Sequence, residues 1–467
     1  MTKARIHKKY VTEADIQGFV LRGYNFPVAR FLFLEISQEG GQEFVGRLLG
    51  HITTGERWDN VKPLATVNIA FTYKGLVNLK LPTVSLLSFP VEFAQGMKER
   101  GSILGDIGKN SAKHWDAMWN QQQVHAWLGV QAISVRELEK QCAELQALIR
   151  GTHGAIVIGS QDAASLVIDG RPTTKEHFGF SQGFGNPDYL GIERSSQPGE
   201  GKLGKRGRWR PLATGELLLG YLDEAEELPV APVPSQLAKH GTFMVYRKLH
   251  QNVATFRKYL EEKARLYAGG REKLASKLIG RWRDGTPIEL SPDAMDNSIV
   301  QDPNRSTNFT FDRDREGKRC PLGAHVRRVN PRDAFGFNGS LVNRRRITRR
   351  GLPYGPYTQE GDPVRDEDEH GMIFIVLNAS ISRQFEFVCQ QWIEGGNDAR
   401  QGSDKDILVG NHEGRGKFTI QGSEDPDNPP FLCGALPNFV ELRGGDYFFV
   451  PSITAMKMIA TGTVDPF

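Results

Sequence analysis

The sequence predicts an α+β protein of two units, residues 1–175 and 176–467, the first of them ferredoxin-like. Three observations lead there. A chain of 467 residues is too long for one compact core and fits two to three domains at about 150 residues each. Apolar residues repeat with period 2 in some stretches and at helical spacing in others, interleaved along the chain rather than segregated. No Gly-rich phosphate loop joins a strand to a helix, which disfavours a doubly wound dinucleotide fold.

Taken in order, Ala29-Arg-Phe-Leu-Phe-Leu-Glu-Ile36 reads as a buried strand, and residues 42–51 as a helix with Phe44, Leu48 and Leu49 on one side. Residues 66–79 read as strand on the alternation of Val67, Ile69, Phe71 and Tyr73, and 83–100 as a helix broken at Pro90. A strand over 124–134, a helix over 135–150 with Leu138, Cys142, Leu145 and Leu148 in one stripe, and a strand at 155–158 complete the first unit. Residues 171–210 shift to Gly, Pro, Ser and charge and read as loop, its basic stretch at 202–210 solvated rather than an anion patch. The second unit then offers strands at 241–246 and 372–377 and helices at 252–267 and 383–392.

Composition narrows the class. Hydrophobic residues at 39%, charged residues at 24%, 51 Gly and 25 Pro describe a loop-rich globular chain, neither disordered nor fibrous. A formal charge of +4 argues against a general nucleic-acid or membrane-surface binder. Cys142, Cys320, Cys389 and Cys433 are scattered without a C-x-x-C pair, so a disulfide framework and a zinc ribbon are not expected and a reducing compartment is. Residues 1–10 carry basic side chains with no apolar stretch behind them, and no run approaches about 18 apolar residues. A cytoplasmic protein without a membrane or nucleic-acid partner is the expectation.

Three segments carry chemistry. Gly179-Phe-Ser-Gln-Gly183 fits the G-x-S-x-G pattern that would make Ser181 a hydrolase nucleophile. Its context opposes that, because Thr173-Thr-Lys-Glu-His177 is polar where a buried strand is needed and Gly185-Asn-Pro187 blocks an immediate helix. His325 sits in Cys320-Pro-Leu-Gly-Ala-His-Val-Arg-Arg-Val-Asn-Pro-Arg332, with no second His or carboxylate at H-E-x-x-H spacing. It reads either as a structural histidine or as a single axial imidazole for haem, with nearby arginines for the propionates. Arg344-Arg-Arg346 and Arg349-Arg350, beside Gly351-Leu-Pro-Tyr-Gly355, read as a solvated or phosphate-binding edge, or else as the source of one guanidinium aimed into a cavity.

These segments in order resemble the dye-decolourising peroxidase family, in its larger bacterial and fungal-like branch, over nearly the whole chain. The resemblance begins at Asp15-Ile-Gln-Gly-Phe-Val-Leu-Arg-Gly23 and runs through Glu176-His-Phe-Gly-Phe180, Thr214-Gly-Glu-Leu-Leu-Leu-Gly-Tyr221 and Phe243-Met-Val-Tyr-Arg-Lys-Leu249. It continues with the His325 segment, Arg349-Arg-Gly-Leu-Pro-Tyr-Gly355, Arg383-Gln-Phe-Glu-Phe387 and Gly444-Gly-Asp-Tyr-Phe-Phe-Val-Pro-Ser452. It implies two ferredoxin-like domains with antiparallel sheets, of the dimeric α+β barrel type, and one haem b per chain in the second.

By position, the resemblance implies His325 as the proximal iron ligand and Arg349 as the distal arginine that polarises peroxide. Glu386, between Phe385 and Phe387, stands for the carboxylate hydrogen-bonded to the proximal imidazole. Arg332 is the expected propionate partner and Phe374 a wall of the distal pocket. The family pattern G-x-x-D-G is broken at Gln182, whose carboxamide can hydrogen-bond to peroxide but cannot accept and return a proton near neutral pH. His177 is an alternative base, and Tyr354 and Trp392 are core aromatics or electron relays. The expected activity is peroxide-dependent oxidation of small phenolic or dye-like donors, with altered or reduced peroxide activation. The alternative is a haem-binding carrier, sensor or oxygen-using enzyme that has lost peroxidase activity, and homo-oligomerisation is left open.

Overall fold

The computed structural model describes residues 11–58, 61–192, 197–204, 207–336, 339–422 and 429–465. The N-terminal residues 1–10 and the pair Lys205 and Arg206, both used in the sequence reading, lie outside the described residues. Eight strands form one antiparallel sheet: β1 (Val28–Ile36), β2 (Ala65–Phe71), β3 (Ala126–Ala132), β4 (Ala155–Ala164), β5 (Thr242–Gln251), β6 (Thr348–Tyr354), β7 (Gly371–Asn378) and β8 (Val440–Val450). Their order is β6-β7-β5-β8-β2-β3-β1-β4. The first four strands of the chain thus fill one half of the sheet and the last four the other. The halves join at one register pair, Phe71 opposite Phe449, and the outer strands β4 and β6 lie against each other, curling the sheet toward a barrel.

Aromatic residues from both halves share the core. Tyr246 of β5 packs edge-on against Phe33 of β1 at 5.3 Å and stacks on Trp119 at 5.4 Å between ring centroids. Helices α1 (Gly41–Leu48) and α2 (Val135–Thr152) belong to the first half. α2 starts where the Ser134 side chain accepts from the Glu137 N–H at 3.3 Å, and it buries Leu138, Cys142, Leu145 and Ile149 along one stripe. No helix among the described residues is long and apolar enough to cross a membrane.

Local structure departs from the sequence reading in three places. Residues 66–79 do not run on as strand: β2 ends at Phe71, and the Thr72 hydroxyl accepts from Gly75 N–H at 3.1 Å to open the helix Tyr73–Asn78. That helix lies so close to β3 that a Cβ on Gly75 would meet the His125 carbonyl oxygen at 2.0 Å. The helix expected over 383–392 is wound in wide π-type turns, Ile381–Glu386 continuing as Val388–Ile393. In the 171–210 segment, Lys202–Leu203 pairs with Trp209–Arg210, and Lys202 forms an ion pair with Glu224 at 2.7 Å, so this stretch is tied down rather than loosely solvated.

The second half also carries α3 (Val253–Ala264), α4 (Gly270–Ile279), α5 (His325–Val329) and the hairpin of Gly416–Ile420 with Phe431–Leu436. With Phe178 and Phe180 from the 173–186 loop, α3, α4 and the hairpin build a second apolar cluster around Phe256, Leu260, Leu274 and Phe439.

Candidate functional site

Strand alternation points Arg349 of β6, Met372 and Phe374 of β7, Arg247 and Leu249 of β5 and Leu442 of β8 to one face of the sheet. This face and the segments covering it enclose a cavity of about 860 Å³, within the ~300–1,000 Å³ range usual for cofactor and small-molecule sites. Leu104 and Asp106 from the first half reach its wall, so the cavity is not confined to residues 176–467.

His325, the first residue of α5, lines the cavity with its Nδ1 at 3.0 and 3.1 Å from the two carboxylate oxygens of Asp406. Asp406 is fully buried, and its Oδ1 also accepts from the backbone N–H of Leu408 at 3.0 Å and Val409 at 2.9 Å. Burial acts to raise this carboxyl, but the His325 imidazole, the Val409 N–H and Arg328 outweigh it and hold it below its ordinary value. An ionised Asp406 fixes the His325 proton on Nδ1 and leaves Nε2 as the free donor atom. Among the described residues no group of three His, Cys, Asp or Glu is placed to hold a metal ion. A metal at His325 therefore needs its other ligands from a prosthetic group.

Glu386 is not at the imidazole. Its carboxylate pairs with the Arg100 guanidinium, with Nη2 at 2.7 Å, and accepts from the Tyr447 hydroxyl at 2.9 Å. The flanking phenylalanines correctly signalled burial, but a buried carboxylate takes whichever donors the fold brings to it, and here Arg100 comes from the first half. Asp406 occupies the position the sequence reading gave to Glu386. Its signal was faint: an Asp opening the apolar run Ile407-Leu-Val409, where a side chain can accept from N–H groups two and three residues on.

Arg349 and Gln182 both line the cavity, as does Phe374. The Arg349 guanidinium donates to the Phe184 carbonyl and its backbone N–H donates to Asn186 Oδ1 at 2.9 Å. Gly183 and Gly185 adopt φ of +93° and +74°, which lets the loop turn back on itself to offer these acceptors. The loop bearing Gln182 is thereby tied to the strand bearing Arg349. Among the described residues the Gln182 side chain makes one weak hydrogen-bond contact, Nε2 at 3.5 Å from the Met372 sulfur.

Arg332 lines the cavity, donating from Nη1 to the carbonyls of Thr307 and Phe309 at 2.9 and 2.8 Å, while its Nε has no hydrogen-bond partner among the described residues. Arg281, Arg346 and Arg349 line it too. Burial pulls all four guanidiniums below their ordinary pKa, Arg281 to about 9 and Arg346 to about 10. Neighbouring guanidiniums add to the shift for the first three of these, Arg281, Arg332 and Arg346. Among the described residues, no carboxylate forms an ion pair with any of the four. Buried cations without counter-ions are costly, so the cluster calls for an anionic ligand. The 344–350 run is accordingly not a solvated edge: Arg344 pairs with Asp223 at 2.8 Å, Arg345 stacks over Phe387, and Arg346 and Arg349 turn into the cavity.

Other candidates fall away. His177 is outside the cavity wall, its Nε2 at 2.9 Å from the Tyr354 carbonyl, so it is not placed as a base there. Ser181 lines the cavity, but among the described residues no imidazole is hydrogen-bonded to its hydroxyl, and the hydrolase reading has no base. Tyr354 and Trp392 are buried, and Trp392 Nε1 donates to Asp398 at 3.0 Å.

Comparison with known proteins adds ancestry to this geometry. Residues 15–160 match the model of the DyP dimeric alpha+beta barrel domain. The chain is 27% identical to dye-decolorizing peroxidase msp1 of Mycetinis scorodonius, over 95% of this chain and 87% of the relative, and 26% identical to a dye-decolorizing peroxidase of Auricularia auricula-judae, over 95% and 86%. Among solved structures it superposes on an ancestral D-type dye decolorizing peroxidase with a TM-score of 0.82 at 29% identity, covering 96% of this chain and 99% of the other. A dye-decolorizing peroxidase in complex with 2,6-dimethoxyphenol matches with a TM-score of 0.80 at 25% identity, covering 96% and 100%.

Proposed function

The chain belongs to the dye-decolourising peroxidase family, whose members are haem enzymes, and from that premise we propose that it binds one haem b and uses hydrogen peroxide to oxidise phenolic or dye-like donors. The observation that carries this reading is one cavity lined by His325, whose Nδ1 is hydrogen-bonded to the buried Asp406, by Arg349 and by further buried guanidiniums without carboxylate partners among the described residues. The residues fit the group. His325 Nε2 would hold the haem iron, and Arg332 and Arg346, needing anions, would hold the two propionates. Bound haem would supply the electrons that split the peroxide O–O bond and would recover them singly from donors.

The chain's own residues do the rest. Asp406 holds the His325 Nδ1 proton and so keeps Nε2 strongly electron-donating. Arg349 offers a fixed cation to negative charge developing on peroxide oxygen, beside the apolar side chains of Phe374 and Met372. Gln182 orients peroxide by hydrogen bonding but cannot take its proton. General acid–base help is worth about 10²–10⁴ in rate, so peroxide activation is altered and slowed. Four buried, unpaired cysteines support a cytoplasmic setting.

Haem reconstitution followed by stopped-flow mixing with stoichiometric peroxide tests the reading. The native holoprotein should react slowly, Gln182→Asp about 10²–10⁴ faster, and His325→Ala should lose the native Soret spectrum. Failure to bind haem, or a His325→Ala spectrum like the native one, overturns the site. A native reaction as fast as that of Gln182→Asp removes the impairment, and no reaction at all favours the haem-binding protein without peroxidase activity that the loss of the usual carboxylate also suggests.

A further inference from the structure

Among the described residues, three carboxyl groups line the cavity: Asp106, Glu176 and Glu394. Two of them are spoken for. Glu176 accepts from the N–H groups of Phe178 at 2.8 Å and Phe180 at 2.9 Å and from the Gln251 amide. Glu394 accepts from Asn411 N–H at 2.9 Å with one oxygen and pairs with Lys405 at 2.7 Å with the other. Asp106 differs: Oδ1 faces the Arg247 guanidinium, while Oδ2 is buried with no partner, and so is Arg247 Nε. The pair therefore presents an unused acceptor beside an unused donor.

Its position bears on the peroxide site. Arg247 lies directly across from Phe374 in the β5–β7 ladder, and Phe374 lies across from Gly351 in β6, two residues beyond Arg349. The Asp106–Arg247 pair is thus on the same wall as Arg349, on the other side of Phe374, with the two arginines two strands apart, or roughly 10 Å across the sheet. A carboxyl and a guanidinium stand together here, the combination that Gln182 and Arg349 lack.

Resting on the peroxidase reading above, we infer that Asp106, held by Arg247, is the proton-exchanging carboxyl of this cavity and recovers through ordered water part of the rate that Gln182 forfeits. The O–H bond of peroxide breaks and its proton passes along the water to the Asp106 carboxylate, which stands in the cavity wall. The same proton is returned from Asp106 to the outer peroxide oxygen as the O–O bond breaks, so that this oxygen leaves as water; bound haem would supply the two electrons and take up the other oxygen atom. Burial, the largest influence, and Glu394 raise the Asp106 carboxyl while Arg247 pulls it down, leaving it at about 6. Among the described residues, the other ionisable groups facing the pair are Cys389 from the π-type helix and Tyr447 from β8, both pushed up chiefly by burial and so neutral across the working range. A base acts when ionised, so the rate of the peroxide reaction should rise with pH through about 6 and then level.

The holoprotein is mixed with peroxide between pH 4.5 and 8 and the Soret change timed, for the native chain, Asp106→Asn, Asp106→Glu and Gln182→Asp. Infrared spectra of the same holoproteins without peroxide follow the protonated carboxyl band. In the native protein the rate and the band should share a midpoint near pH 6. Asp106→Asn, with haem content checked, should lose the band, flatten the profile and react at least ~100-fold more slowly at pH 7. Asp106→Glu should shift both midpoints together, and Gln182→Asp should react rapidly regardless of position 106. An unchanged profile in Asp106→Asn, or a rate midpoint that stays fixed while the Asp106→Glu band moves, overturns the assignment alone. A native holoprotein that shows the band but reacts with peroxide at no pH overturns the peroxidase reading instead.

Discussion

Asp406 and Glu386 are both buried carboxylates of the second half, yet they act on different things, and single substitutions separate them. Asp406→Asn keeps an oxygen for His325 Nδ1–H and for the Leu408 and Val409 N–H groups but removes the charge. The haem reduction potential should rise and the peroxide reaction fall by about 10–100-fold, read by redox titration and stopped flow; an unchanged potential would remove Asp406 from the proximal role. Glu386→Ala should leave the potential alone and cost about 3 kcal/mol of stability by stranding Arg100, measured by chemical denaturation. Residue chemistry was legible in the sequence where one side chain carries its own signal: His325 and Arg349 stand in distinctive strings and both line the cavity. Pairings were not, because His325 and Asp406 are 81 positions apart and Arg100 and Glu386 are 286 apart.

At the scale of elements, the loop over residues 173–186 is held to the β6–β7 hairpin by a stack of imidazoles. His177 of the loop lies 5.2 Å from His370, the residue preceding β7, and His370 lies 5.6 Å from His250 near the end of β5. Burial depresses all three, His177 to about 4, and like charge adds to the effect, from neighbouring imidazoles on His177 and His370 and from Arg443 on His250. The unfolded chain, with imidazoles near 6.5, binds protons that the stack refuses. Stability is therefore full above about pH 6.5 and is lost as pH falls toward 4, by up to roughly 3 kcal/mol for His177 alone. Denaturation at pH 7 and pH 4.5 should show this loss, and His177→Gln should remove a large share of it; an equal loss in the variant would put the acid sensitivity elsewhere. Elements of strong period were readable, as α2 illustrates. The switch at Phe71 was missed because the alternation continues past it to Tyr73, and only the Thr72 cap and the close passage of Gly75 beside His125 end the strand.

At the scale of the whole molecule, composition divides the chain near residue 175, yet the sheet and the core run across that division. Tyr246 packs on Phe33 and Trp119, Phe449 pairs with Phe71, and the ion pairs Arg247–Asp106 and Lys248–Asp116 span the two halves. Such contacts leave no trace in local sequence, since each residue alone reads as ordinary core or surface. They predict that the halves unfold as one unit rather than in two steps. In urea, tryptophan fluorescence, which includes Trp115, Trp119 and Trp127 of the first half, should report the same midpoint as loss of the haem Soret band from the cavity. Phe33→Ala, far in sequence from every residue proposed to bind haem, should cost about 3–5 kcal/mol and move both midpoints down together. Separate midpoints, or a haem transition indifferent to Phe33→Ala, would mean that the second half holds its cofactor without the first, and Asp106 would then be a surface appendage of the cavity rather than part of its wall.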